Sequence, residues 1–440
     1  MDHKKTFWQK LSPLAFPIAV QQLMLSLVSA SDALMLGLVD QESLAAVSLA
    51  AQIQFVFSLF MSGFTSGGSI LAAQYWGKES KADVEQTFGI MMRPAILTGF
   101  VFSFLAMAVP ELLMSIFTPD PALILLGAGY LRMVSPSYLL CAISMSYLCI
   151  MRNSGHTGAA SIVVSFGVVL NIGLNAILIF GLFGFPEMGI GGAALATAIT
   201  RAAELILSLW EMRKPDRIHL LRKYFLGRSL PLTQDYIRHT TPVTGNFLVW
   251  GVGVTMGSVI LGRLGADAVA ANSIASVMKN LISCFCIGFA SGGAILVGNE
   301  LGAGALDTGK EYGGKVVKLA LISGAISCGV LIMLTPVILT ISELTPQAAS
   351  YLRWMILVCG INLIGMSNNS AIISGIFCAG GDTKFGFICD TITLWLIVVP
   401  MGLLAAFVFD WPVMAVYCII CSDEIVKLPA VWKRYFSING

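Results

Sequence analysis

Residues 63–77 read GFTSGGSILAAQYWG, and residues 288–302 read GFASGGAILVGNELG. The two stretches align without a gap at an interval of 225 residues. The same interval carries Ala45-Ala46 onto Ala270-Ala271, Leu36-Gly37 onto Leu261-Gly262 and Pro17 onto Pro242. Further along, YLRMV at 130–134 meets YLRWM at 351–355 at 221, Gly155 and Thr157 meet Gly381 and Thr383 at 226, and Pro186 falls on Pro412. A single glycine-rich match arises easily by chance in an apolar chain. Matches in the same order through both halves point to a duplicated unit. They divide the chain into a first half, 1–212, a basic linker, 213–235, and a second half, 236–440.

What is duplicated spans a membrane. The 440 residues are 57% hydrophobic and 11% charged, against about 25% charged in soluble domains. Apolar runs of ~20 residues or more, the length that crosses a bilayer, recur at 11–38, 44–76, 86–110, 122–150, 158–184, 189–212, 236–263, 268–300, 313–341, 347–378, 384–409 and 411–436. The first follows a basic start, MDHKKTFWQK, and is too long for the core of a signal peptide. Six spans per half give both halves the same orientation. The expected fold is an all-α polytopic membrane protein of twelve transmembrane helices, in two six-helix bundles related by a pseudo-two-fold axis along the membrane normal, with a cavity between them.

Orientation follows from the cations. Lys4, Lys5, Lys10, Lys78, Lys81, Arg152, the linker's Arg213, Lys214, Arg217, Arg222, Lys223 and Arg228, and later Lys310, Lys315, Lys318, Lys384, Lys433 and Arg434 fall on one side. The other side carries mainly Asp40, Glu42, Asp120, Glu187, Asp267, Glu343 and Asp410. Both termini are therefore expected in the cytoplasm and the protein in the plasma (cell inner) membrane. Trp76, Trp210, Trp354, Trp411 and Trp432 near span ends read as interfacial anchors.

Several chemistries have no residues to support them. The ten cysteines show no CxxC pair and no His at zinc-ligand spacing, and read as small buried hydrophobes. There is no GxxxxGK[ST], HExxH or GxSxG, and GIGGAA at 189–194 opens a membrane span without a preceding soluble strand. The chain is expected not to be an enzyme, to hold no organic cofactor and to bind no nucleic acid. Its energy source is then an ion gradient or the membrane potential.

Asp32 lies inside the first span, where a carboxylate costs roughly 2.5–3.5 kcal/mol on insertion scales and reads as functional by default. Asn171 and Asn175 stand four apart on one helix face, and Thr197 lies on the next helix. One carboxylate with amide and hydroxyl oxygens suits a hard monovalent cation such as sodium. It equally suits a protonated carboxylic acid, and the asparagines and threonine could instead be hydrogen-bonding between helices.

SDALMLG at 31–37 followed by SLAAVSLA at 43–50 resembles the first-helix signature of the multidrug and toxic compound extrusion (MATE) transporters. GGSILAAQYWGK at 67–78, NIGLNAILIFGLFGFPEMGIGGAALATAI at 171–199 and GGDTKF at 380–385 are similar to later stretches of that family, in order. The resemblance implies export of amphipathic, often cationic small molecules in exchange for protons or sodium ions, by alternating access. It also implies that Asp32, Asn171, Asn175 and Thr197 form the coupling-ion cluster. An exporter of the same superfamily that flips lipid-linked oligosaccharides is the alternative, and would call for a strongly cationic cavity. A major-facilitator transporter would read GxxxDRxGRR where this chain reads GKESKAD.

The chain departs from the family in two places. Asn175 stands where many members have Asp, and neither 236–263 nor 347–378 contains the carboxylate that several members carry there. Gly257 falls opposite Asp32 at the repeat interval, so coupling is expected to centre on the first bundle. Gln54, Met61, Asn246, Lys279 and Asp390 are candidates for the substrate cavity, with Lys279 and Asp390 expected to pair across helices. Arg201 and Glu204 are expected to form a local ion pair, and Arg132 and Arg353 to be repeat partners near the outer surface. Pro17 and Pro242 are candidate bending points, since a proline frees a carbonyl within a span. The partners expected are the lipid bilayer and the transported small molecules, and the chain is expected to be a monomer.

Overall fold

A computed structural model describes residues 6–39, 41–227, 229–342 and 344–439. Lys4, Lys5, Asp40, Arg228 and Glu343, whose charges enter the expected orientation, lie outside the described residues.

The described residues form helices and no strands. In order these are α1 (Phe7–Val39), α2 (Gln41–Gly77), α3 (Lys81–Ala108), α4 (Pro110–Ser115), α5 (Pro121–Asn153), α6 (Thr157–Phe180), α7 (Ile190–Met212) and α8 (Arg222–Leu226). They continue with α9 (Leu230–Arg263), α10 (Ala266–Gly302), α11 (Leu306–Ile341), α12 (Pro346–Asn369), α13 (Thr383–Thr391), α14 (Val399–Phe407), α15 (Val413–Ile420), α16 (Asp423–Val426) and α17 (Leu428–Asn439). Helices dominate because hydrocarbon offers the backbone no hydrogen-bond partner, so each span must satisfy its own amides. Eleven passages among the described residues are long and apolar enough to cross a membrane. The twelfth expected run, 411–436, is divided among three short helices, α15, α16 and α17.

The helix starts give the repeat its register. α2 and α10, α3 and α11, and α5 and α12 each begin 225 residues apart, and α6 and α13 begin 226 apart. α5 and α12 open alike: Pro121 and Pro346 take the first helical position, where the missing N–H costs nothing. Asp120 Oδ1 accepts from the Ala122 amide at 2.9 Å, and Thr345 Oγ1 accepts from the Ala348 amide at 3.1 Å. Against that register the YLRMV–YLRWM match is displaced by one helical turn, so Arg132 and Arg353 are not repeat partners. Arg132 instead pairs with Glu111 at 2.6 Å. The step from 225 to 226 falls where α12 continues as a π-helix, Ser370–Phe377, whose wider turn accommodates one additional residue.

The chain packs as two compact units, one of Leu23–Thr240 and the other of Met1–Gln22 with Thr241–Gly440. Both α1 and α9 therefore begin in one unit and end in the other. In the first unit, Thr240 of α9 lies against Gly67 of α2; a Cβ on Gly67 would stand 2.8 Å from the Thr240 Cα. In the second, Ala15 of α1 lies against Gly292 of α10, where a Cβ would stand 2.8 Å from the Ala15 Cα and N. Gly67 and Gly292 are repeat partners, as are Thr240 and Ala15, so one close helix crossing has been built twice from the matching GFTSGG and GFASGG stretches. Lys10 Nζ adds an ion pair to Glu300 Oε1 at 2.8 Å, with Glu300 buried.

Gly292→Ala should force α1 off α10 and cost about 1–3 kcal/mol, the usual penalty of overpacking. Gly173→Ala, whose Cβ would meet nothing within 4 Å, should leave the melting temperature of the purified protein unchanged.

Candidate functional site

Within the unit Leu23–Thr240, α1, α6 and α7 bring the expected polar residues together. Asn175 Nδ2 donates to Asp32 Oδ1 at 2.6 Å and to Asn171 Oδ1 at 3.1 Å. Both asparagines are buried, because their shared face of α6 turns inward, and Asp32 is half-buried. Asn175 Oδ1 has no hydrogen-bond partner. The site thus offers a carboxylate and an unpartnered amide oxygen within one hydrogen-bonded chain, as a small cation or a proton requires.

Thr197 is not part of that chain of hydrogen bonds. Its Oγ1 donates to the Ala193 carbonyl of its own helix at 3.0 Å. Tyr130 of α5 lies near both Thr197 and Asp32. Arg201 bonds Glu204 at 2.7 Å, as its i,i+3 spacing predicts, and also lies in the field of Asp32. Tyr130 escaped the sequence reading because a tyrosine in an apolar run carries no signal of its own. Asn175→Leu removes the donor that bridges Asp32 and Asn171 and should cost about 1–3 kcal/mol. Thr197→Ala should cost less, since its hydroxyl serves its own helix, and thermal unfolding of the two purified variants compares them directly.

The remaining candidates separate. Met61 is wholly buried in a core with Phe57 and Tyr138, whose rings lie 5.2 Å apart, so it packs rather than lines an open surface. Gln54 is half-buried. Asn246, in the other unit, keeps its Oδ1 without a hydrogen-bond partner. α1 and α9 run through Pro17 and Pro242 without interruption.

Lys279 and Asp390 do not pair with each other. Lys279 Nζ donates to Asn362 Oδ1 at 2.6 Å, whereas Asp390 Oδ1 accepts from Lys427 Nζ at 2.7 Å. Lys427 also reaches Glu424 Oε1 at 3.1 Å. The true partners are masked in the sequence because Asp423, Glu424 and Lys427 fall inside the last apolar run. Three charges at i, i+1 and i+4 in a membrane passage were the signal that could have found them.

A family model named MatE matches two stretches of the chain, residues 17–177 and 243–404, set apart by about the repeat interval. An uncharacterized transporter, YisQ, from Bacillus subtilis is 24% identical over 433 residues, covering 98% of this chain and 94% of that protein. A probable multidrug resistance protein, NorM, from Rhizobium meliloti is 26% identical over 407 residues, covering 91% and 86%. Among solved structures, a multidrug resistance MATE family transporter of the MOP superfamily in an outward-facing conformation superposes with a TM-score of 0.87 at 16% identity, covering 99% of this chain and 96% of that one. A MOP superfamily transporter from Pyrococcus furiosus superposes at 0.86 and 17% identity, covering 99% and 98%. The duplicated, all-helical, membrane-spanning architecture and these matches agree: the chain is an integral membrane protein belonging to the MatE family of multidrug and toxic compound extrusion transporters.

Proposed function

We propose that the chain exports amphipathic, often cationic small molecules across the plasma membrane by antiport against a monovalent cation, a proton or sodium ion, bound at Asp32. The observation that carries this reading is the bonded series Asp32, Asn175, Asn171 inside one unit, with an amide oxygen left free for a ligand. The family supports efflux, and relatives named as probable multidrug resistance proteins support the substrate class. With no catalytic constellation in its sequence and no organic cofactor to hold, the protein moves its substrate chemically unchanged, by alternating access. It works as a monomer with both termini in the cytoplasm.

The test is efflux of a fluorescent cationic dye from vesicles, with sodium and proton gradients imposed separately. Efflux that saturates with dye and follows one of the two gradients is expected. Efflux indifferent to both would overturn antiport.

A further inference from the structure

Exposed apolar side chains on α3 begin at Leu97 and continue through Phe100, Val101 and Phe104, at the spacing of one helix face. On α7 a like stripe runs from Ile206 to Leu209 and Trp210, and an exposed Arg213 follows. Lys81, at the start of α3, donates to the Pro215 carbonyl just beyond α7 at 3.4 Å, so these two helix ends lie together. Leu97 and Trp210 thus mark one boundary, where hydrocarbon gives way to lipid headgroups.

The short linker helix α8 is held at that boundary by α3. Gly89 has no Cβ, and one there would stand 2.8 Å from the carbonyl carbon and oxygen of Tyr224. One turn on, Arg93 donates from Nε to the Phe225 carbonyl at 2.9 Å, and from Nη2 to the Tyr224 carbonyl at 3.0 Å and to that of Gly227. Five residues are too few to stay helical alone, so α3 supplies the partners that keep α8 wound. Arg93 precedes Leu97 by one turn, about 6 Å along the axis, which sets α8 in the headgroup layer. Phe225 packs inward against the core of the first unit, while Arg222 and Lys223 are exposed. Lys223 Nζ stands 4.5 Å from the centre of the Tyr224 ring.

The acids around the linker are already engaged. Glu211 holds Lys214 and Arg217, and Asp216 holds Arg217 and lies 3.3 Å from His156. Arg213, Arg222 and Lys223 form no salt bridge among the described residues, which leaves the outer face of α8 cationic. The second unit repeats the arrangement. At the interval of 225, Gly89 falls on Gly314, Arg93 on Lys318 and Leu97 on Ile322. A Cβ on Gly314 would stand 3.8 Å from the Tyr435 hydroxyl of α17, and Ile322 and Ile326 are exposed below it. α17 in turn exposes Lys433 and Phe436. Each unit therefore lays a basic, aromatic helix over the same glycine, at the same depth.

We propose that Arg222 and Lys223 hold the phosphate headgroup of an anionic phospholipid, which docks on the outer face of α8. Depth and charge select this partner, because cations one turn outside the hydrocarbon stand level with lipid phosphates. Native mass spectrometry of the full-length chain in detergent micelles should show phosphatidylglycerol binding more tightly than phosphatidylcholine. Arg222→Gln with Lys223→Gln should weaken that binding roughly 30-fold, the loss of two cations near an anionic surface. Lys310→Gln with Lys384→Gln removes as much charge from exposed residues of the other unit and should lose far less. Because the first double variant could misfold, hydrogen exchange on the unaltered chain gives a second reading. Nanodiscs containing phosphatidylglycerol should slow exchange of the α8 amides relative to phosphatidylcholine alone. Equal affinity for the two lipids, equal losses in the two double variants, or exchange at α8 indifferent to the lipid overturns the proposal. Displacement of the lipid by inorganic phosphate at equal concentration would assign these cations to a soluble anion and overturn it too.

Discussion

Asp32→Asn should abolish gradient-driven efflux while leaving the protein folded and able to bind dye. The substitution keeps the side chain's shape and an oxygen for Asn175 Nδ2 to meet at the present 2.6 Å contact. What it removes is the charge that a cation or proton would neutralise. Coupling between two ligands is a free energy of about 1–3 kcal/mol, so its loss should remove a ~5–150-fold effect of the cation on dye affinity and with it the gradient-driven part of efflux. The measurement is initial dye efflux from vesicles with and without an imposed gradient, alongside dye binding to the purified variant. Undiminished gradient-driven efflux by Asp32→Asn would remove Asp32 from the mechanism.

Lys427→Met should be strongly destabilising. It leaves Asp390 and Glu424 buried without their cation, at 2.7 Å and 3.1 Å from where its ammonium stood. Removing one partner of a buried ion pair costs about 3–5 kcal/mol, since the remaining charge stays desolvated. Combining Lys427→Met with Asp390→Asn should restore part of the loss, because one stranded carboxylate is then gone. Lys279→Met with Asp390→Asn should show no such compensation, since these residues hold different partners. Thermal unfolding of these three purified variants, beside Lys279→Met and Asp390→Asn alone, decides between a shared and a separate network.

The sequence reading and the structure agree where a signal is periodic or repeated. The runs of apolar residues predict the helices, and the matching GFTSGG and GFASGG stretches predict a duplicated architecture whose physical basis is a close crossing at Gly67 and Gly292. Asp32, Asn171 and Asn175 were legible because each is a polar residue out of place in a membrane span. Thr197 was grouped with them although its hydroxyl bonds its own helix. The second half was harder to read for a physical reason. Hydropathy averaged over 411–436 conceals Asp423, Glu424 and Lys427, and only the break between α15 and α17 reveals that this run is not one helix. The same concealed charges separate Lys279 from Asp390, and the YLR stretches match off register because a one-turn shift keeps apolar faces in phase.

The way α1 begins among α10 residues also sets an order of assembly. Lys10 and Ala15 find Glu300 and Gly292 as neighbours only after nearly three hundred further residues have left the ribosome. At about 5–20 residues per second that is a wait on the order of tens of seconds. During it, the opening turns of α1, with Pro13 and Pro17 each lacking an amide proton, have no tertiary contact to keep them wound. Biogenesis of the first half is thereby finished by the second, which makes synthesis of the whole chain a condition for either half to mature.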